Sequence, residues 1–156
     1  MRNVDVLVFA SAIGLLAYAL VGCGRRPAAV GVRASPVLTP GVLNAAVTQA
    51  TIRSTICTRG WTATLRPPTS YTSALKLRQM AEYGEAGTPE DYQEDHLISL
   101  ELGGDPTDPR NLWPEPYPRA SAVDRIENDL NAQVCSGELS LAEAQRKETE
   151  LKHDYG

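Results

Sequence analysis

The chain has no excess of basic residues: fifteen Lys and Arg stand against nineteen Asp and Glu, a formal net charge of −4 over 156 residues. A global positive field able to hold a polyanion is thereby excluded, and any face for nucleic acid has to be local. Cysteine is scarce, with three in the whole sequence, and no two lie at the close spacing of a zinc or redox pair. Internal repeats are missing. The one long apolar run, uncharged from Val6 to Gly22, is too short for a permanent membrane span.

That run follows the cationic start Met1-Arg2-Asn3 and ends in Leu20-Val21-Gly22-Cys23. Residues 1–22 are expected to be a signal peptide, and the tetrapeptide resembles the bacterial lipobox, which implies cleavage before Cys23 and lipidation of its thiol. The alternative is an uncleaved N-terminal anchor. Either way the remainder is exported to the cell envelope and attached to a membrane. The segment removed carries Arg2 and Asp5 alone among charged residues, so the mature chain keeps the net charge of −4. With Cys23 acylated, Cys57 and Cys135 remain as an even pair, expected to form a disulfide in an oxidising compartment.

Residues 23–44 are rich in Pro, Ala, Val, Gly and Ser without a sustained period and are read as a flexible tether. Residues 45–156 suffice for one small domain. Within it, the alternating Trp61 to Arg66 predicts a short strand ended by Pro67-Pro68, with Trp61 in the core. A helix is predicted from Ser73 to Tyr83 with Leu77, Met80 and Ala81 on its apolar face and Gly84 at its end. Lys76 and Arg78 lie off that face, either on a solvated surface or toward phosphates. Pro114 to Pro118 reads as a rigid extended connector. The spacing of Val123, Ile126, Leu130 and Val134 predicts a helix over 120–134, ended by Gly137, and Ser140-Leu141-Ala142-Glu143 is a capping box opening a last helix to about Lys152. His153, in the polar tail, is expected at the surface.

The remaining stretch, Glu94 to Trp113, concentrates the chemistry. An adjacent carboxylate and imidazole, Asp95-His96, precede an alternating apolar run; Gly103-Gly104 and two Asp-Pro pairs turn the chain back to Asn111-Leu112-Trp113. Hydrolysis assisted by one divalent ion suits such a grouping: Asp95 as a hard oxygen ligand and His96 as acceptor of the proton of an attacking water. The imidazole can do this if one ring nitrogen is held as donor and the other left free. A carboxamide or a backbone carbonyl across the hairpin can do the holding, with Asn111 the candidate.

At these residues the chain resembles the HNH family of nucleases, through Asp95-His96, Gly103-Gly104 and Asn111-Leu112 in order. Flanking segments extend the likeness to small bacterial HNH-like proteins: Thr55-Ile56-Cys57, Gly60-Trp61, Arg66-Pro67-Pro68, Asn111-Leu112-Trp113-Pro114-Glu115-Pro116 and Val134-Cys135-Ser136-Gly137. The resemblance implies an α+β fold built on a ββα-metal hairpin plus helix, flanked by additional helices. It also implies one divalent metal ion (Mg, Mn or Zn) on Asp95, His96 as general base, Asn111 orienting it, and nucleic acid as substrate, DNA before RNA. The family's further ligand, a His or Asn at the start of the following helix, is absent from Arg119 to Asp124; Asp124, Ser121 or water is the expected substitute. Two functions follow: a metal-dependent, lipid-anchored endonuclease, or a non-catalytic envelope lipoprotein that keeps the scaffold for binding, with Asp95-His96 a structural pair.

Overall fold

The computed structural model describes residues 33–155. The expected signal peptide and the lipidation site Cys23 lie outside the described residues. The fold is α+β: among the described residues, three α-helices and a two-stranded antiparallel sheet. Strand β1, Tyr92–His96, pairs with β2, Leu112–Pro116, in a register that sets Asp95 opposite Trp113 and His96 opposite Leu112.

The second strand therefore includes Pro114, Glu115 and Pro116, which composition had marked as a connector. A two-stranded sheet has two edges, and proline is tolerated where its missing N–H faces away from the partner. Leu97 donates its N–H to the Asn111 carbonyl and Tyr117 to that of Asp91. These bonds come from positions of odd number on the second strand, so the two prolines fall between them.

Helix α1 spans Thr69–Tyr83, opening directly after Pro68 and closing at Gly84 with φ +69°. Its buried face is Leu75, Gln79 and Met80, while Leu77 is exposed. The apolar count misplaced this face because a polar residue belongs to it: Gln79 Nε2 donates to the carbonyls of Pro109 and Leu112, at 2.8 and 2.7 Å. Lys76 likewise points at protein, donating to the carbonyls of Pro89 and Tyr92. The strand expected over Trp61 to Arg66 is instead a single 3-10 turn, Thr62–Thr64. Without a partner strand its amides close i→i+3 bonds, and Thr64 Oγ1 reinforces the turn on Trp61 O. Trp61 is half-buried against the core.

Helix α2, Arg119–Ser136, ends at Gly137 in the left-handed conformation, and α3, Leu141–Asp154, opens with the Ser140/Glu143 capping box. The stripe of α2 that faces inward is Val123, Glu127, Leu130 and Val134, with Ile126 turned outward. A glutamate thus occupies a core position.

Val47, Ile52, Ile98, Leu102, Leu130, Val134 and Leu141 form the main core. The Cys57–Cys135 disulfide closes over it, joining residues 78 apart in sequence. A smaller cluster sets Ala34 and Leu97 around Trp113, whose ring centroid lies 6.3 Å from that of Tyr83. Residues 34–44, assigned to a tether on composition, pack on the domain: Ala34 N–H donates to Lys152 O, Gly41 to Arg110 O and Asn44 to Gly103 O. A segment low in apolar period can be fixed by its backbone. His153 is held in the same way, its Nε2 bonded to Thr39 O at 2.9 Å, and is half-buried rather than a free surface residue.

Candidate functional site

His96 closes β1, where the chain leaves the sheet into the loop ending at Asn111. Its Nε2 lies 3.1 Å from the carbonyl oxygen of Pro106. A carbonyl can only accept, so Nε2 carries the proton of that bond, and in the neutral ring Nδ1 is left as acceptor. Burial pushes the imidazole below its usual pKa, opposed by the Asp95 carboxylate and by the Pro106 bond. The ring is thus neutral at neutral pH, with a carboxylate close by to stabilise it should it gain a proton.

Asn111 does not hold the ring itself. Its fully buried amide donates to Ile98 O and Asp105 O, both at 3.0 Å, while its Oδ1 accepts from Ile98 N at 3.1 Å and Val42 N at 3.4 Å. These bonds brace the loop carrying Pro106, so Asn111 acts on His96 through the backbone. Gly104 is required there, because a Cβ would meet Ile98 O at 1.8 Å and Asn111 Nδ2 at 2.6 Å. The Gly-Gly and Asn signals are one device for presenting a carbonyl to a histidine.

Asp95, one residue back, is buried and accepts from Lys152 Nζ on Oδ2 at 2.8 Å. Gln93 Nε2 approaches Oδ1 at 3.3 Å. Lys152, on the last turn of α3 and 0% exposed, also contacts Glu127 Oε1 at 2.6 Å and Glu148 Oε1 at 3.6 Å, and donates to the His96 carbonyl. Both Glu148 oxygens accept from Ser99 N–H at 3.0 Å. Glu115, from β2, completes the group.

Five ionisable side chains, Asp95, Glu115, Glu127, Glu148 and Lys152, are thus buried together. Burial would raise Asp95, but the Lys152 ammonium on its Oδ2 holds it at about 2. Burial and then the Asp95 charge push Glu115 up to about 9; burial is likewise the main cause that takes Glu127 to about 9. Burial would lower Lys152, yet the surrounding carboxylates raise it well above its ordinary value. At neutral pH the cluster carries Asp95 and Lys152 as ions, with Glu115 and Glu127 protonated.

Asp95, His96, Glu127, Asp124 and Glu101 line one small polar pocket, with Arg66 at its edge. Arg66 Nη2 lies 3.7 Å from Glu101 Oε1 and its side chain is largely exposed. The structure therefore brings together three of the four residues that sequence assigned to the chemistry. Asp95, His96 and Asp124 meet at the pocket, whereas the Asn111 side chain is committed to the loop behind it.

The donor set does not fit the expected divalent ion. Asp95 already has an ammonium on one oxygen and an amide on the other, and Glu127 shares that ammonium. Asp124 is an exposed carboxylate at the pocket, and no group of three His, Cys, Asp or Glu among the described residues is arranged to hold a metal. Sequence reasoning missed Glu115, Glu127, Glu148 and Lys152. Glu148 and Lys152 stand at i,i+4 on α3, the pattern of an ordinary exposed helix pair. The one available signal was Glu127, which falls on the apolar spacing of Val123, Leu130 and Val134. No protein-family model, curated protein or solved structure matches the chain.

Proposed function

We propose that the pocket is an HNH-like phosphodiester-hydrolysing site for nucleic acid, with β1, β2 and α2 as its ββα unit. The chain would be exported and lipid-anchored through Cys23. The observation that carries this reading is the bond from His96 Nε2 to Pro106 O, which makes Nδ1 a base in a ring kept neutral by burial.

In this reading water attacks phosphorus and gives its proton to His96 Nδ1. The new O–P bond forms as the P–O bond to the leaving nucleoside oxygen breaks, and that oxygen takes its proton from solvent. Asp95, adjoining, stabilises the imidazolium as it forms. Arg66, exposed at the pocket, is the cation placed to meet the phosphate. With Lys152 on Asp95 Oδ2 and Gln93 against Oδ1, no step here is routed through a divalent ion.

DNA is the expected substrate before RNA, and the net charge of −4 implies weak, salt-sensitive binding. The test is cleavage of single- and double-stranded DNA and of RNA at low salt by wild type and by His96→Ala. A general base contributes about 10²–10⁴-fold, so the variant should lose at least that much while keeping its fold. Lys152 on Asp95 favours one other reading, a binding lipoprotein that retains the scaffold without catalysis. Wild type that cleaves none of these substrates selects it.

A further inference from the structure

We propose that Lys152 takes the place of the divalent ion at Asp95, so that this site binds no divalent cation and works without one. This rests on the hydrolytic reading above for its catalytic half and on geometry for the rest.

An ammonium has three N–H donors, and all three of Lys152 are placed: on Asp95 Oδ2, on Glu127 Oε1 and on the His96 carbonyl. The carboxylates around it come from three elements: Asp95 on β1 and Glu127 on α2 accept its bonds, and Glu148 on α3 lies 3.6 Å away as an ion pair. A cation that gathers carboxylates from several elements around one point is what a bound metal does in a small domain. Here the charge is covalently attached and fully buried. An incoming dication at Asp95 would have to lie beside a fixed positive charge in a medium that screens it poorly.

The same ammonium links the carboxylate to the backbone of His96. Lys152 is therefore a positioning residue: it fixes the end of β1 on which the base stands, and it holds Asp95 ionised beside the ring. It is buried and cannot touch the substrate, so the phosphate charge falls to Arg66.

The experiment is a titration of manganese(II) into the full chain by calorimetry, beside cleavage assays in EDTA and in manganese, for wild type, His96→Ala, Asp124→Asn and Lys152→Gln. Wild type should show no saturable manganese binding, and its His96-dependent cleavage should be unchanged by EDTA. Lys152→Gln, if it folds, should gain manganese binding or become sensitive to EDTA; if it does not fold, the wild-type titration still decides. Saturable binding to wild type that Asp124→Asn abolishes overturns the proposal whatever the activity. Cleavage that needs His96 and falls at least about tenfold in EDTA also overturns it, because the metal then supplies the transition-state stabilisation, and it leaves the hydrolytic reading intact. Absence of both binding and cleavage retires that reading and leaves the exclusion of the metal standing.

Discussion

Lys152 Nζ lies 2.8 Å from Asp95 Oδ2, tying the last turn of α3 to the strand that carries His96. This contact keeps Asp95 ionised, and together with the burial of Glu115 and Glu127 it makes the stability of the domain depend on pH in a defined way.

Asp95 has its pKa depressed in the fold, so its contribution is present above the ordinary carboxylate range and is lost as pH falls toward about 2. Glu115 and Glu127 are raised to about 9, so the stability they contribute is full below their unfolded value of 4.5 and is lost as pH rises toward 9. Between those limits stability falls as pH rises, because the fold keeps protons that the unfolded chain gives up. Urea unfolding followed across pH should show a stability maximum near pH 4 to 5. Glu115→Gln, which is neutral at every pH, should flatten the alkaline slope. A slope unchanged in that variant would show that Glu115 is ionised in the fold.

Asn111→Ala removes an amide that serves Ile98, Asp105 and Val42, and leaves buried backbone groups without partners. Each such group costs about 1–3 kcal/mol, so a loss of about 2–4 kcal/mol in chemical denaturation is expected. Activity should fall too, because the Pro106 carbonyl is no longer held against His96. A variant as stable as wild type would mean that the loop is fixed by other contacts.

The second strand and the pocket were legible in unequal measure. Asp95-His96, Gly103-Gly104 and Asn111 could be read because each is a residue type with a narrow use: a ligand or base, a backbone with no Cβ, an amide with both donor and acceptor. The ends of α1 and α2 could be read because Gly84 and Gly137 take the left-handed conformation that stops a helix. Lys152 could not be read, because a lysine on a largely polar helix is nearly always solvated and its hydrogen-bond partners lie 25 to 57 residues away. The strand character of Pro114 to Pro116 was hidden by a rule that holds for central strands and relaxes at an edge. Gln79 and Glu127, polar residues on buried faces, defeated the apolar count for the same reason: their partners are distant in sequence.

The disulfide between Cys57 and Cys135 closes a long loop around the core, and its removal should cost about 2–5 kcal/mol. Cys135→Ser compared with wild type in urea measures it. Free thiols at both positions in protein taken from its native compartment would contradict the pairing.

The pH dependence of cleavage tests the role of His96 most directly. Only the neutral ring accepts a proton, and burial lowers the His96 pKa from its ordinary value. The rate at saturating substrate should therefore rise with pH along a limb whose midpoint lies below about 6.5, then level off, and His96→Ala should abolish that limb together with most of the rate. The same limb persisting in His96→Ala, with the rate undiminished, would contradict the assignment of His96 as the base.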